Sequence, residues 1–175
     1  MGDAMSALFE VAGARTETPQ RRWTERDMLD LLRERYTVDA GNGPRYVLSE
    51  HVRNQGGFGR DERLRTVDAL AIDLWPSSGY LIHGFEVKVS RGDWLTELRD
   101  PSKADAFKRY CHHWWLVVPD KQIAHDGVPD GWGLLATGKN GRLRVVRRAP
   151  KLKPEPVSPG LLAAWLRAAS KRRDP

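Results

Sequence analysis

Apolar and polar residues alternate most regularly from Gly79 to Ser90, GYLIHGFEVKVS. Strand side chains repeat every two residues. Leu81, His83, Phe85, Val87 and Val89 therefore form one face, and Tyr80, Ile82, Gly84, Glu86, Lys88 and Ser90 the other. Just upstream, Thr66 to Leu74 reads as a second strand, joined to the first by the turn Pro76-Ser77-Ser78-Gly79. Asp68, Leu70 and Ile72 share one of its faces and Asp73 lies on the other. Arg45 to Arg53, RYVLSEHVR, reads as a preceding strand that carries Glu50. Trp114 to Pro119 is an unbroken apolar run, the signature of a strand buried on both faces, with Trp114 and Trp115 in the core. Trp132 to Arg148 predicts a hairpin turning at Asn140-Gly141.

Helical spacing appears in four places. Met28, Leu31, Leu32 and Tyr36 form a stripe opened by Thr24, with Asp27 completing a capping-box pattern, and Gly41-Asn42-Gly43-Pro44 ends it. Ser90 with Asp93 predicts a short helix over DWLTELRD, and Ser102 with Asp105 predicts another over SKADAFKRYCHH. Prolines between Leu152 and Pro159 read as a stiff linker. Ser158 and Pro159 then open a last helix whose stripe, Leu161, Leu162, Trp165, Leu166 and Ala169, is expected to pack on the body. Residues 1–21 are small, polar and aperiodic, and are expected to be flexible. The pattern divides the chain into this N-terminus, a domain over 22–150, and a linker with a basic helix over 151–175. It predicts an α/β fold, a central mixed β-sheet with flanking helices.

Charge adds a partner class. The formal net charge is +6. Residues 138–175 hold eleven Lys and Arg against Glu155 and Asp174, so the excess is concentrated at one end. A basic quarter on a near-neutral body suggests a polyanion. Cys111 is the single cysteine, which excludes an intrachain disulfide and a cysteine zinc site. No apolar run approaches the ~18 residues of a membrane span, and no signal-peptide core is seen near Met1. The expectation is a cytoplasmic protein with no membrane partner; a monomer and a homodimer both stay open.

A lone Glu-x-Lys is ordinarily a surface ion pair of little consequence. Here Glu86 and Lys88 point the same way from an apolar strand, and Asp68 stands on the strand before. Through Asp68, Glu86 and Lys88 the sequence resembles the PD-(D/E)xK nuclease superfamily, with Val67 where proline often precedes the acid. More narrowly, SEHVRN, TVDALAIDLWPS, HGFEVKVSRGDW, DPSKADAFKRYC and WWLVVPD resemble small bacterial and phage proteins of the MmcB-like DNA-repair group. The resemblance spans roughly Thr24 to Asp120. It implies a restriction-endonuclease-like αβββαβ core, here extended by the C-terminal β-hairpin and helix. It also implies a Mg²⁺- or Mn²⁺-dependent deoxyribonuclease of DNA repair, recombination or phage DNA processing.

Phosphodiester cleavage needs a hard cation, an activated water and neutralised phosphate charge. On this reading Asp68 and Glu86 hold the ion with the Val87 carbonyl, and Glu50 is an outer or second-ion ligand. Lys88 orients the water or stabilises developing charge. Expected phosphate contacts are Arg60, Arg63 and Arg65 in the Gly-rich loop NQGGFGRDERLR, with Arg91, Lys103, and Arg142 and Arg144 on the hairpin. Two alternatives stand beside it: a DNA-binding module that does not cleave, and a regulatory protein whose terminal helix docks on a partner.

Overall fold

The computed structural model describes residues 22–171 apart from 38–40, 42, 55–63, 101 and 126. The first helix, α1 (Glu25–Tyr36), begins where its capping box is satisfied in both directions: the Thr24 hydroxyl accepts the Asp27 N–H, and the Asp27 carboxylate accepts the Thr24 N–H. Strands β1 (Tyr46–Arg53), β2 (Thr66–Asp73) and β3 (Ile82–Val87) follow. Helices α2 (Arg91–Leu98) and α3 (Ser102–Lys108) cross over to β4 (His113–Val118). Next come β5 (Trp132–Thr137), β6 (Leu143–Arg147) and the terminal α4 (Pro159–Ala169).

These strands form one six-stranded mixed sheet in the order β1-β2-β3-β4-β5-β6. Pairing is antiparallel through β1, β2 and β3, parallel through β3, β4 and β5, and antiparallel again at β6. The fold is α/β, with helices on both faces. No described helix is long and apolar enough to cross a membrane.

Each face of the sheet has its own core. On one, Ala69, Ala71, Phe85, Val87, Trp115 and Val117 pack with Met28, Leu29 and Leu32 of α1. On the other, Leu70, Ile82, Trp114, Leu116 and Leu134 pack with Trp94 of α2, Phe107 of α3 and Trp165 of α4. Strand β4 thus contributes alternate residues to both cores, which is why its sequence is apolar throughout. Gly84 has a specific reason to lack a side chain: a Cβ there would lie 2.3 Å from the Trp114 ring.

Several boundaries shift from the sequence expectation, each for a local reason. Strand β3 begins at Ile82 because Gly79 and Tyr80 take positive φ at the end of a tight turn. Helix α3 stops at Lys108 because the chain must reach β3. There the His112 N–H donates to the Ile82 carbonyl, and the Ile82 N–H donates to His112 Nδ1 at 2.9 Å. Residues 151–158 are anchored: the Leu152 N–H donates to the His112 carbonyl and the Glu155 N–H to the Arg109 carbonyl, both at 2.8 Å. Helix α4 packs on β1, with Trp165 Nε1 donating to Ser49 Oγ at 3.1 Å. Of its expected stripe, Leu161 and Trp165 are buried with Ala164, whereas Leu162 and Leu166 face outward.

Candidate active site

Strands β2 and β3 separate at Asp68. Their ladder runs from Ile72↔Ile82 to Ala69↔Phe85, so the next opposed pair in this register is Asp68 and Glu86. At that point the Asp68 carboxylate takes over the bridging role and accepts the Val87 N–H at 2.7 Å. Meanwhile β3 stays with β4, and the Lys88 N–H donates to the Val117 carbonyl. The gap leaves Asp68 and Glu86 beside each other at the sheet's rim.

Lys88 Nζ pairs with Glu86 and lies 3.4 Å from Glu97 Oε2, on α2. All three side chains are largely buried, 12–15% exposed. Glu86 and Glu97 line a cleft of about 250 Å³ whose walls also include Arg65, Lys103 and Trp114. Burial pushes the Glu86 carboxyl up to about 7, helped by the neighbouring Asp68 charge and opposed by Lys88. Burial also raises Asp68, against the Val87 N–H and Lys88. Burial alone would lower Lys88, but Glu86, Asp68 and Glu97 outweigh it and hold the ammonium charged.

A second set of donors approaches Asp68 from β1 and α1. The pairs Glu50↔Ala69 and Val52↔Val67 bracket His51 and Asp68, placing these two opposite each other. His51 has φ 50°, a left-handed conformation that is unusual outside glycine. One ligand atom each from Glu25, His51 and Asp68 lie within 4.8 Å of one another, and His51 Nδ1 is 3.8 Å from Glu25 Oε1. The donors around Asp68 are thus carboxylate oxygens and one imidazole. Oxygen donors suit Mg²⁺ and Mn²⁺, and the imidazole tilts the set toward Mn²⁺. Glu25, His51 and Glu97 are absent from the sequence-based set of site residues. Only the strand register and the helix docking reveal them.

No protein-family model and no curated protein matches the chain. A solved structure titled "SPO1766 protein of unknown function from Silicibacter pomeroyi" is similar over 72% of this chain and 73% of its own. The identity is 20% and the TM-score 0.46, a likeness that carries no chemistry across.

The remaining sequence candidates divide by position. Arg65 and Lys103 line the cleft. Val87 contributes its N–H to Asp68, and its side chain is buried against α1. Glu50 is on the other face of the sheet: it pairs with Ala69, which packs toward α1. Its side chain is 4% exposed and held by Arg26 at 2.8 Å and Arg33 at 2.5 Å, so it does not join Asp68 and Glu86. Asp73 is likewise structural, buried against Arg45 at 2.9 Å. Arg91 is exposed and contacts His125. Arg142 pairs with Glu34 of α1 at 2.9 Å, and Arg144 is exposed on β6, three strands beyond β3. Arg60 and Arg63 lie outside the described residues.

Proposed function

We propose that the protein is a metal-dependent nuclease that hydrolyses phosphodiester bonds in DNA. The observation that carries this reading is the parting of β2 and β3 at Asp68, which sets two largely buried carboxylates side by side with one lysine between Glu86 and Glu97. Like charges gathered at a cleft are costly to the fold and call for a cation. Asp68 and Glu86 would hold a Mg²⁺ or Mn²⁺ ion, with Glu25 and His51 within reach of the same aspartate. When bound, such an ion polarises a phosphate and lowers the pKa of its water. Lys88 is placed to neutralise charge developing on the phosphate, and Glu97 fixes its ammonium. Arg65 and Lys103 supply cationic walls for the flanking phosphates.

Cleavage of plasmid and oligonucleotide DNA tests the proposal. Activity is expected in Mg²⁺ or Mn²⁺, absent in EDTA, and lost in both Glu86→Ala and Lys88→Ala. Full activity in either variant refutes the assignment. The non-cleaving DNA-binding module is the reading that survives if Mn²⁺ fails to bind while DNA still does.

A further inference from the structure

Three clefts meet where β1 ends and β2 begins. The one beside Glu86 shares Arg65 with a larger cleft, about 730 Å³, between α3 and residues 152–155. It shares Leu64 and Thr66 with a third, about 600 Å³, between the β1 end and α4. Asn54 belongs to both larger clefts and ties the junction together. Its N–H donates to the Arg65 carbonyl at 3.0 Å, and its side-chain oxygen accepts the Arg65 N–H at 2.5 Å. The clefts adjoin through these shared residues and lie as two arms of a groove with Arg65 and Glu86 at the bend.

The walls of this groove are basic. The α3 arm carries Arg65, Lys108, Arg109 and Lys153 against Asp105 and Glu155. Those acids are matched only loosely, Asp105 to Lys108 at 3.7 Å and Glu155 to Arg109 at 4.0 Å. The α4 arm carries Arg53, Arg167 and Lys171 with no acid among the described residues on its walls. Among the described residues, Arg65, Lys153 and Arg167 make no ion pair. Cations assembled in excess of their counter-charges repel one another unless a polyanion crosses them. On the sheet's opposite edge Arg142 is already engaged by Glu34, and Arg144 alone of that pair makes no ion pair among the described residues.

Volume and lining select the form of the polyanion. Both arms have the volume of ordinary small-ligand clefts, roughly 300–1,000 Å³, and their walls mix cations with apolar surface from Leu64, Leu152, Ala164 and Ala168. A single strand presents phosphates to the first and base faces to the second. A duplex keeps its bases inside. We propose that the groove binds single-stranded nucleic acid threaded past Glu86 along both arms, and that the Arg142/Arg144 hairpin lies off its path. The proposal rests on the nuclease reading for the identity of the polyanion, and goes beyond it in the form and route of the substrate.

Fluorescence anisotropy in EDTA tests it, using a labelled single strand of mixed sequence and its blunt duplex over a series of KCl concentrations. Lys153→Ala and Arg167→Ala, one exposed position per arm, are compared with Arg142→Ala/Arg144→Ala, all checked for native melting. The single strand is expected to bind more tightly than the duplex. Each groove variant should flatten the log K against log salt slope by about 0.7 for each phosphate it no longer neutralises, and the hairpin variant should match the parent. Preference for the duplex, failure of both nucleic acids to bind, or a slope change confined to the hairpin variant overturns the proposal. Because no ion is needed for binding in EDTA, single-strand binding without cleavage in Mn²⁺ overturns the nuclease reading and leaves the groove standing.

Discussion

Replacing Asp68 by Asn removes one charge from the rim and keeps an oxygen for the Val87 N–H, now bonded at 2.7 Å. Directly opposed strand residues stand ~5 Å apart at Cβ. At that distance and an effective dielectric of ~20, two like charges repel by about 3 kcal/mol. Against that relief, a carbonyl is a weaker acceptor than a carboxylate by about 1 kcal/mol. The variant also loses the attraction between Asp68 and Lys88, and Glu86 is partly protonated near neutral pH, so the metal-free variant is expected to be more stable than the parent by up to about 1 kcal/mol, which for a chain of this size raises Tm by roughly 2–4 °C. Mg²⁺ or Mn²⁺ reverses the order. A ligand at a hundred times its Kd stabilises the parent by about 2.7 kcal/mol, and the variant by far less. Melts followed by far-ultraviolet circular dichroism, in EDTA and in each cation, give the six values. If Asp68→Asn is destabilised in EDTA and the parent ignores both cations, Asp68 is a structural acid and the metal centre does not exist.

Three further outcomes are expected. Glu50→Gln removes the buried charge and leaves two part-exposed arginines, Arg26 still paired with Asp30, so it should cost about 1–3 kcal/mol, the worth of hydrogen bonds to a charged group, while the stabilisation by Mn²⁺ is retained; loss of that stabilisation would return Glu50 to the site. Gly84→Ala drives a Cβ into the Trp114 ring and should cost at least the ~1–3 kcal/mol of an overpacked core, read from urea unfolding; a neutral result would show that Trp114 has room to move. His83 is pushed down to about 4, chiefly by burial and by His113, so it stays neutral in the fold and takes up its proton first on unfolding. Its contribution is complete above about 6.5 and is lost as pH falls toward 4, up to about 3 kcal/mol in all; an NMR titration placing His83 near 6.5 would contradict this.

The carboxylate pair was legible because a period of two fixes faces without reference to any other strand. Asp68 and Glu86 each fell on a determined side, and a single turn joined their strands. The same reasoning misassigned Glu50, because a face has meaning only once the register with the neighbour is known. Glu50 opposes Ala69, and the residue opposite Asp68 is His51, one position along. Strand order was equally hidden. Periodicity recognised the hairpin of β5 and β6, but the parallel crossovers set it at the edge away from β1, which removed Arg142 and Arg144 from the neighbourhood of Glu86. Glu25 and Glu97 needed the docking of α1 and α2, which no local pattern encodes. In α4 the sequence stripe was broader than the face that β1 accepts, so Leu162 and Leu166 remained outside.

The Arg26–Glu50–Arg33 contact fastens α1 to β1. Glu25 immediately precedes Arg26, and His51 immediately follows Glu50. The two donors that approach Asp68 from this side are thus covalent neighbours of the fastening. Whatever loosens it, such as a competing phosphate on the arginines or acid reaching the carboxylate, would draw Glu25 away from Asp68, while the β1–β2 ladder keeps His51 opposite it. The number of groups available to an ion would then change with the seating of one helix, while Glu86, Lys88 and Glu97 stayed in place.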